Sequence, residues 1–148
     1  MTDIITIDDI NNYNLEFNDG KLILTPKYTK VTPEELCGIN LAHSIINKCI
    51  IYNDDKIIST STKYRSMLID IWKNMPSQLL LTNTTYNMKL SNENDNGYKW
   101  IDCINLSVQD KDSNGAFKEL LKMVEINQYK FTINITLFPN KKILVEYT

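Results

Sequence analysis

The stretch KFTINITLFPNKKILVEY, residues 130–147, decides how this chain reads. Phe131, Ile133, Ile135 and Leu137 alternate with Lys130, Thr132, Asn134 and Thr136. A period of two puts successive side chains on opposite faces of a strand, one against a core and one in water. Pro139-Asn140 then turns the chain into Ile143, Val145 and Tyr147. This predicts a half-buried antiparallel hairpin.

Similar signals recur upstream. Leu15-Glu-Phe17 and Leu22-Ile-Leu24 flank Asn18-Asp19-Gly20. Asp-Gly suits a type I′ turn because Gly accepts the positive φ, so strands are expected at 13–18 and 21–26. Cys49-Ile-Ile-Tyr52 and Ile57-Ile58 flank Asn53-Asp54-Asp55 and read as another hairpin. Thr84–Leu90 and Tyr98–Gln109 read as long strands joined by the polar loop Ser91–Gly97. In the second, Trp100, Ile104, Leu106 and Val108 share a face, with Asp102 as the misfit.

Three helices are expected between these strands. Thr32-Pro33-Glu34-Glu35 combines a cap, a proline at the first helical position and a capping box. Leu36, Ile39, Ala42 (or His43) and Ile46 follow at helical spacing, extending the helix to about Lys48. Ser61 or Thr62 caps a second helix over 62–76, striped by Tyr64, Met67, Leu68, Ile71, Trp72 and Met75 and stopped by Pro76. Asp112 or Ser113 caps a third. Phe117, Leu120, Leu121 and Val124 take its apolar side, and Lys118, Glu119, Lys122 and Glu125 its polar side.

The fold class is therefore α+β: antiparallel sheets packed by three helices. The element order suggests a ββαββ pseudo-repeat, with halves at 13–60 and 84–148 joined by the helix 62–76. No Gly-rich or Ser-rich linker separates the halves, so residues 1–148 read as one domain.

Composition narrows the function. Hydrophobic residues are 43% and charged residues 23% of 148, as in a globular chain. Sixteen basic residues against 18 acidic ones give −2, which excludes nucleic-acid binding by bulk positive charge. The charge is uneven. Residues 1–20 hold five acids (Asp3, Asp8, Asp9, Glu16, Asp19) and no base. Twenty Ile, 18 Asn and 15 Lys against one Arg and two Ala point to AT-rich coding rather than to function. Three unclustered cysteines, no signal-peptide pattern and no apolar run of about 18 residues fit a soluble protein of a reducing cytoplasm.

Catalytic patterns are missing from the sequence. It has no G-x-G-x-x-G, P-loop, C-x-x-C or G-x-S-x-G. His43 is the only histidine, and mid-helix it is an awkward general base. Cys37 and His43, six residues apart on a helix, lie about 240° apart and do not face each other. No catalytic residue, metal site or cofactor is assigned; the chain reads as a non-enzyme, with an enzyme that uses Asp or Glu without His as the remaining alternative.

Binding candidates are few. Lys21, Lys27, Tyr28 and Lys30 share a ten-residue window without an acid, and Lys63, Tyr64 and Arg65 form a second basic-aromatic cluster. Cations interleaved with rings suit single-stranded nucleic acid, although Lys is abundant throughout and Tyr64 belongs to the apolar stripe. Arg65 is expected in an ion pair with Asp70 or with an acid from another element. Ile69, on the polar side of its helix, marks either a contact surface or packing within the chain.

Two segments resemble small uncharacterised proteins of mimivirus-like giant DNA viruses: ISTSTKYRSMLIDIWKNMP (58–76), and Gly97-Tyr-Lys-Trp100 together with VQDKDSNG (108–115). The resemblance covers about residues 58–148. It implies an intracellular viral protein made in the host cytoplasm, and no activity or cofactor. The expected function is a protein–protein interaction module with a viral or host partner. A homodimer through edge strands fits the same reading. The alternative is a single-stranded nucleic-acid or nucleotide-binding accessory domain.

Overall fold

The computed structural model describes residues 13–26 and 28–148. The chain is α+β, with ten strands and four α-helices among those residues. The acids Asp3, Asp8 and Asp9 and the candidate Lys27 lie outside the described residues.

The opening hairpin has its expected bounds. β1 (Tyr13–Asn18) and β2 (Lys21–Pro26) form a two-stranded sheet of their own. Asp19 and Gly20 take φ of 52° and 76°, the two positive values that a type I′ turn needs.

The main sheet is built around the closing hairpin, β9 (Lys130–Leu137) and β10 (Lys141–Tyr147). Three strands from the first half flank it: β3 (Thr29–Val31), β4 (Ile45–Asn53) and β5 (Lys56–Ser59). The order is β3-β10-β9-β4-β5. All pairs are antiparallel except β3 with β10, which is parallel. Strands from both halves interleave in this one sheet, so the sheet itself does not confirm a ββαββ repeat of two separate halves. Phe131, Ile133, Ile135, Ile143 and Val145 are fully buried on one face. Each contributes roughly 1.5–3 kcal/mol of transfer free energy. Thr132, Asn134 and Thr136 occupy the other, half-exposed face.

The first helix is shorter than expected. α1 (Pro33–Cys37) has the capping box: Thr32 Oγ1 accepts from Glu35 N at 3.1 Å, and Glu35 Oε1 accepts from Thr32 N at 3.4 Å. It ends at Gly38, whose N–H donates to Glu35 O and Leu36 O. His43 lies in the following turn with φ 61°, not in a helix. Ile46 and Cys49 are both buried at a helix-like spacing of three because they sit in β4 across a bulge. Asn47 is the extra residue, and a bulge of one residue turns a period of two into a gap of three.

α2 (Tyr64–Trp72) starts later than expected, at Lys63, which makes no side-chain cap bond. The predicted stripe faces inward: Met67, Leu68, Ile71, Trp72 and Met75 are buried and Tyr64 half-buried. α2 ends at Trp72, short of the expected 76, and Pro76 stands at the start of α3 (Ser77–Asn83), which has no counterpart in the sequence reading.

The two long strands also need correction. Residues 84–90 hold only β6 (Met88–Lys89). Residues 98–109 fold back as a hairpin, β7 (Tyr98–Ile101) and β8 (Leu106–Gln109), with a 3-10 turn at Asp102–Ile104 between them. Asp102, the misfit of the apolar face, marks the reversal, and Asn105 closes it at φ 53°. The sheet order is β6-β8-β7. The Ser91–Gly97 loop is fastened to this sheet. Fully buried Ser107 donates to Ser91 O and accepts from Glu93 N, both at 2.7 Å. Ser107→Ala leaves both groups without that partner, at an expected cost of about 1–3 kcal/mol. A urea midpoint that does not move would show that the loop holds itself.

α4 (Ser113–Asn127) starts at Asp112, whose Oδ1 accepts from Gly115 N at 2.8 Å. Phe117, Leu120 and Val124 are fully buried, as the spacing predicts. Glu119 is not on the polar side: it is also fully buried. It accepts from Thr84 Oγ1, from Thr85 N at 2.8 Å and from Thr85 Oγ1 at 2.8 Å.

Candidate functional site

Elements far apart in sequence meet in a cleft of about 140 Å³. Its walls carry the rings of Tyr64, Trp72 and Tyr86, with Arg65, Asp110 and Lys111 beside them. Ser113 and Ala116, in the first turn of α4, complete it.

Each wall residue has a local reason for its place. Tyr64 and Arg65 are neighbours at the start of α2, and Trp72 lies about two turns further on. Asp110 and Lys111 lie between β8 and α4, so their direction follows from the Asp112 cap. Tyr86 lies just beyond the threonines that Glu119 holds, and its own N–H donates to Thr84 Oγ1 at 3.1 Å. Trp72 and Tyr86 meet edge to face, with centroids 5.2 Å apart at 74°.

Charges at the cleft are mixed. Arg65 pairs with Asp110, an acid from another element, while Asp70 pairs instead with Lys73 and accepts from Ser59. Lys111 forms no ion pair among the described residues, and its Nζ lies 5.5 Å from the Tyr86 centroid. Burial pushes the Tyr86 hydroxyl pKa well above its ordinary value, and the carboxylates of Glu119 and Asp110 push it the same way. Burial raises the Tyr64 hydroxyl too, and lifts the Cys49 thiol to about 12 with Asp70 adding to the effect. All three groups are therefore neutral at physiological pH.

The sequence candidates do not converge. Arg65 and Tyr64 line the cleft, but Lys63 sits exposed ahead of α2. Lys30 lies on β3, beside a groove with Pro33, Leu144 and Glu146. Tyr28 is half-buried, 5.9 Å from Lys142 Nζ. Lys21 is exposed in the separate hairpin. Lys30 lies on the edge strand β3 of the main sheet, whereas Lys63 lies on no strand and precedes α2. Ile69 is half-buried and packs against the core, the second of its two readings.

Lys111 and Tyr86 were missed as site residues. No local pattern marks either one, although the Asp-Lys-Asp run before a helix start was visible. Cys37 and Cys103 are exposed thiols and Cys49 is a buried one. Among the described residues no group of three His, Cys, Asp or Glu side chains suits a metal ion. Nor is any helix long and apolar enough to cross a membrane.

The other unusual surface is the β1–β2 hairpin. Phe17 is 80% exposed, Leu15 53% and Leu22 50%. The register places Phe17 opposite Leu22, with Leu15 on the same face. Neither strand is hydrogen-bonded to a further strand among the described residues.

The chain matches no protein-family model, no curated protein and no solved structure.

Proposed function

We propose that the chain is a non-enzymatic protein–protein interaction module that engages its partner through the β1–β2 hairpin. One observation carries this reading: Leu15, Phe17 and Leu22 form an exposed apolar face on a two-stranded sheet. An isolated two-stranded hairpin is marginal in water. A partner strand added at its free edge supplies main-chain hydrogen bonds and covers the apolar face at once. The occupant is a viral or host protein chain, met in the host cytoplasm as the sequence resemblance implies.

The test compares wild type with the double variant Phe17→Thr, Leu22→Thr, which removes the apolar face with an uncharged residue that suits a strand. Both positions are exposed, so each change is expected to alter stability by less than about 0.5 kcal/mol. Wild type should retain a partner from infected-cell lysate that the variant loses at equal stability. A partner set unchanged by the double variant overturns the reading. Light scattering separates the homodimer: a mass that falls from two chains to one in the variant makes the partner a second copy. Nucleic-acid binding that weakens steeply with salt and with Arg65→Glu would favour the alternative instead.

A further inference from the structure

We infer that the cleft between α2, β8 and α4 is a binding site for a small one-ring aromatic anion, such as an aryl carboxylate or aryl phosphate. The site is separate from the hairpin and does not depend on the interaction reading.

Three buried side-chain polar atoms lack a hydrogen-bond partner among the described residues: Ser44 Oγ, Tyr64 Oη and Trp72 Nε1. Two of the three belong to residues that line this cleft. Trp72 is only 2% exposed, and an indole N–H in such a place normally finds an acceptor. A ligand oxygen supplies one.

Size and shape select a ring. About 140 Å³ is close to the roughly 150 Å³ of a cavity that holds benzene. The aromatic walls, together with Val108 and Ala116, offer ring faces and edges for stacking. The charges select an anion. Asp110 is engaged by Arg65 and Asp112 by the α4 cap, so the two carboxylates beside the cleft already have partners. Lys111 has no ion-pair partner among the described residues and supplies the cation. Trp72 also walls a second cleft of about 200 Å³ with Ser77, Cys103 and Asn105. That one lacks Tyr64, Tyr86 and the free Lys111.

Titration of the full chain with phenyl phosphate, followed by amide chemical shifts, tests the site. Saturable shifts at residues 64–65, 86 and 110–116 are expected, with a dissociation constant in the low-millimolar range or tighter. Lys111→Glu, an exposed change outside the core, should weaken binding roughly fivefold or more. Inorganic phosphate and neutral phenol should each bind more weakly than phenyl phosphate. Equal binding of inorganic phosphate removes the ring from the proposal, and equal binding of phenol removes the anion; either result overturns it. So do shifts confined to Ser77, Cys103 and Asn105, and so does the absence of shifts at 10 mM, a concentration set by the same low-millimolar expectation.

Discussion

Glu119→Ala is expected to lower the stability of the protein by about 3 kcal/mol. The carboxylate is fully buried in α4 and holds two threonine hydroxyls and a main-chain N–H at the end of α3. Alanine removes all three acceptor contacts and leaves a small void. Thr85 is itself exposed, so water can recover part of that loss, which keeps the figure below the sum of three bonds. Glu119→Gln keeps one acceptor oxygen and the volume, so its cost is expected near 1 kcal/mol. Urea unfolding with an unchanged slope gives both values. If glutamine costs as much as alanine, the negative charge rather than the hydrogen-bond geometry is what matters. The consequence reaches the cleft, because these threonines precede Tyr86, whose N–H is tied to Thr84.

Phe131→Ala should cost about 3–5 kcal/mol. Phe131 is fully buried on β9, which has a neighbouring strand on each side. Its ring meets Phe117 of α4 edge to face at 6.4 Å and stacks on Tyr147 of β10 at 5.8 Å. Truncation therefore loses the transfer term, two aromatic contacts and the volume between the helix layer and the sheet. Phe131→Leu keeps most of the volume and should cost under about 2 kcal/mol. Thermal or urea unfolding measures the difference. A loss below about 1 kcal/mol for alanine would mean that the helix layer collapses onto the gap.

Much of the local structure was legible because its causes are local. Asp19-Gly20 carries its turn in its own φ preferences, and the Thr32–Glu35 box and the Asp112 cap form within four residues. The errors also have local causes. Ile39, Ala42 and Ile46 fell on a helical spacing from Leu36, but Gly38 ends α1 and Ile46 belongs to β4. The apolar residues at 100, 104, 106 and 108 kept a period of two through Asp102, which hid a reversal between β7 and β8. Glu119 looked like one more polar residue on a wet face because its partners lie 34 and 35 residues away.

The sequence by itself determined the α+β class, the three hairpins around Asp19, Asp54 and Pro139, the inward stripes of α2 and α4, and the absence of familiar catalytic patterns. It placed Arg65 in an ion pair and left its partner open. Only the tertiary structure decided that β3 runs parallel to β10, that the closing hairpin occupies the middle of the sheet, and that Asp110 is that partner. The division follows chain separation. Turns, caps and periodicity are fixed by neighbours within a few residues, so the sequence shows them directly. The cleft joins Tyr64, Tyr86 and Lys111, residues more than twenty apart, whose meeting depends on how whole elements pack.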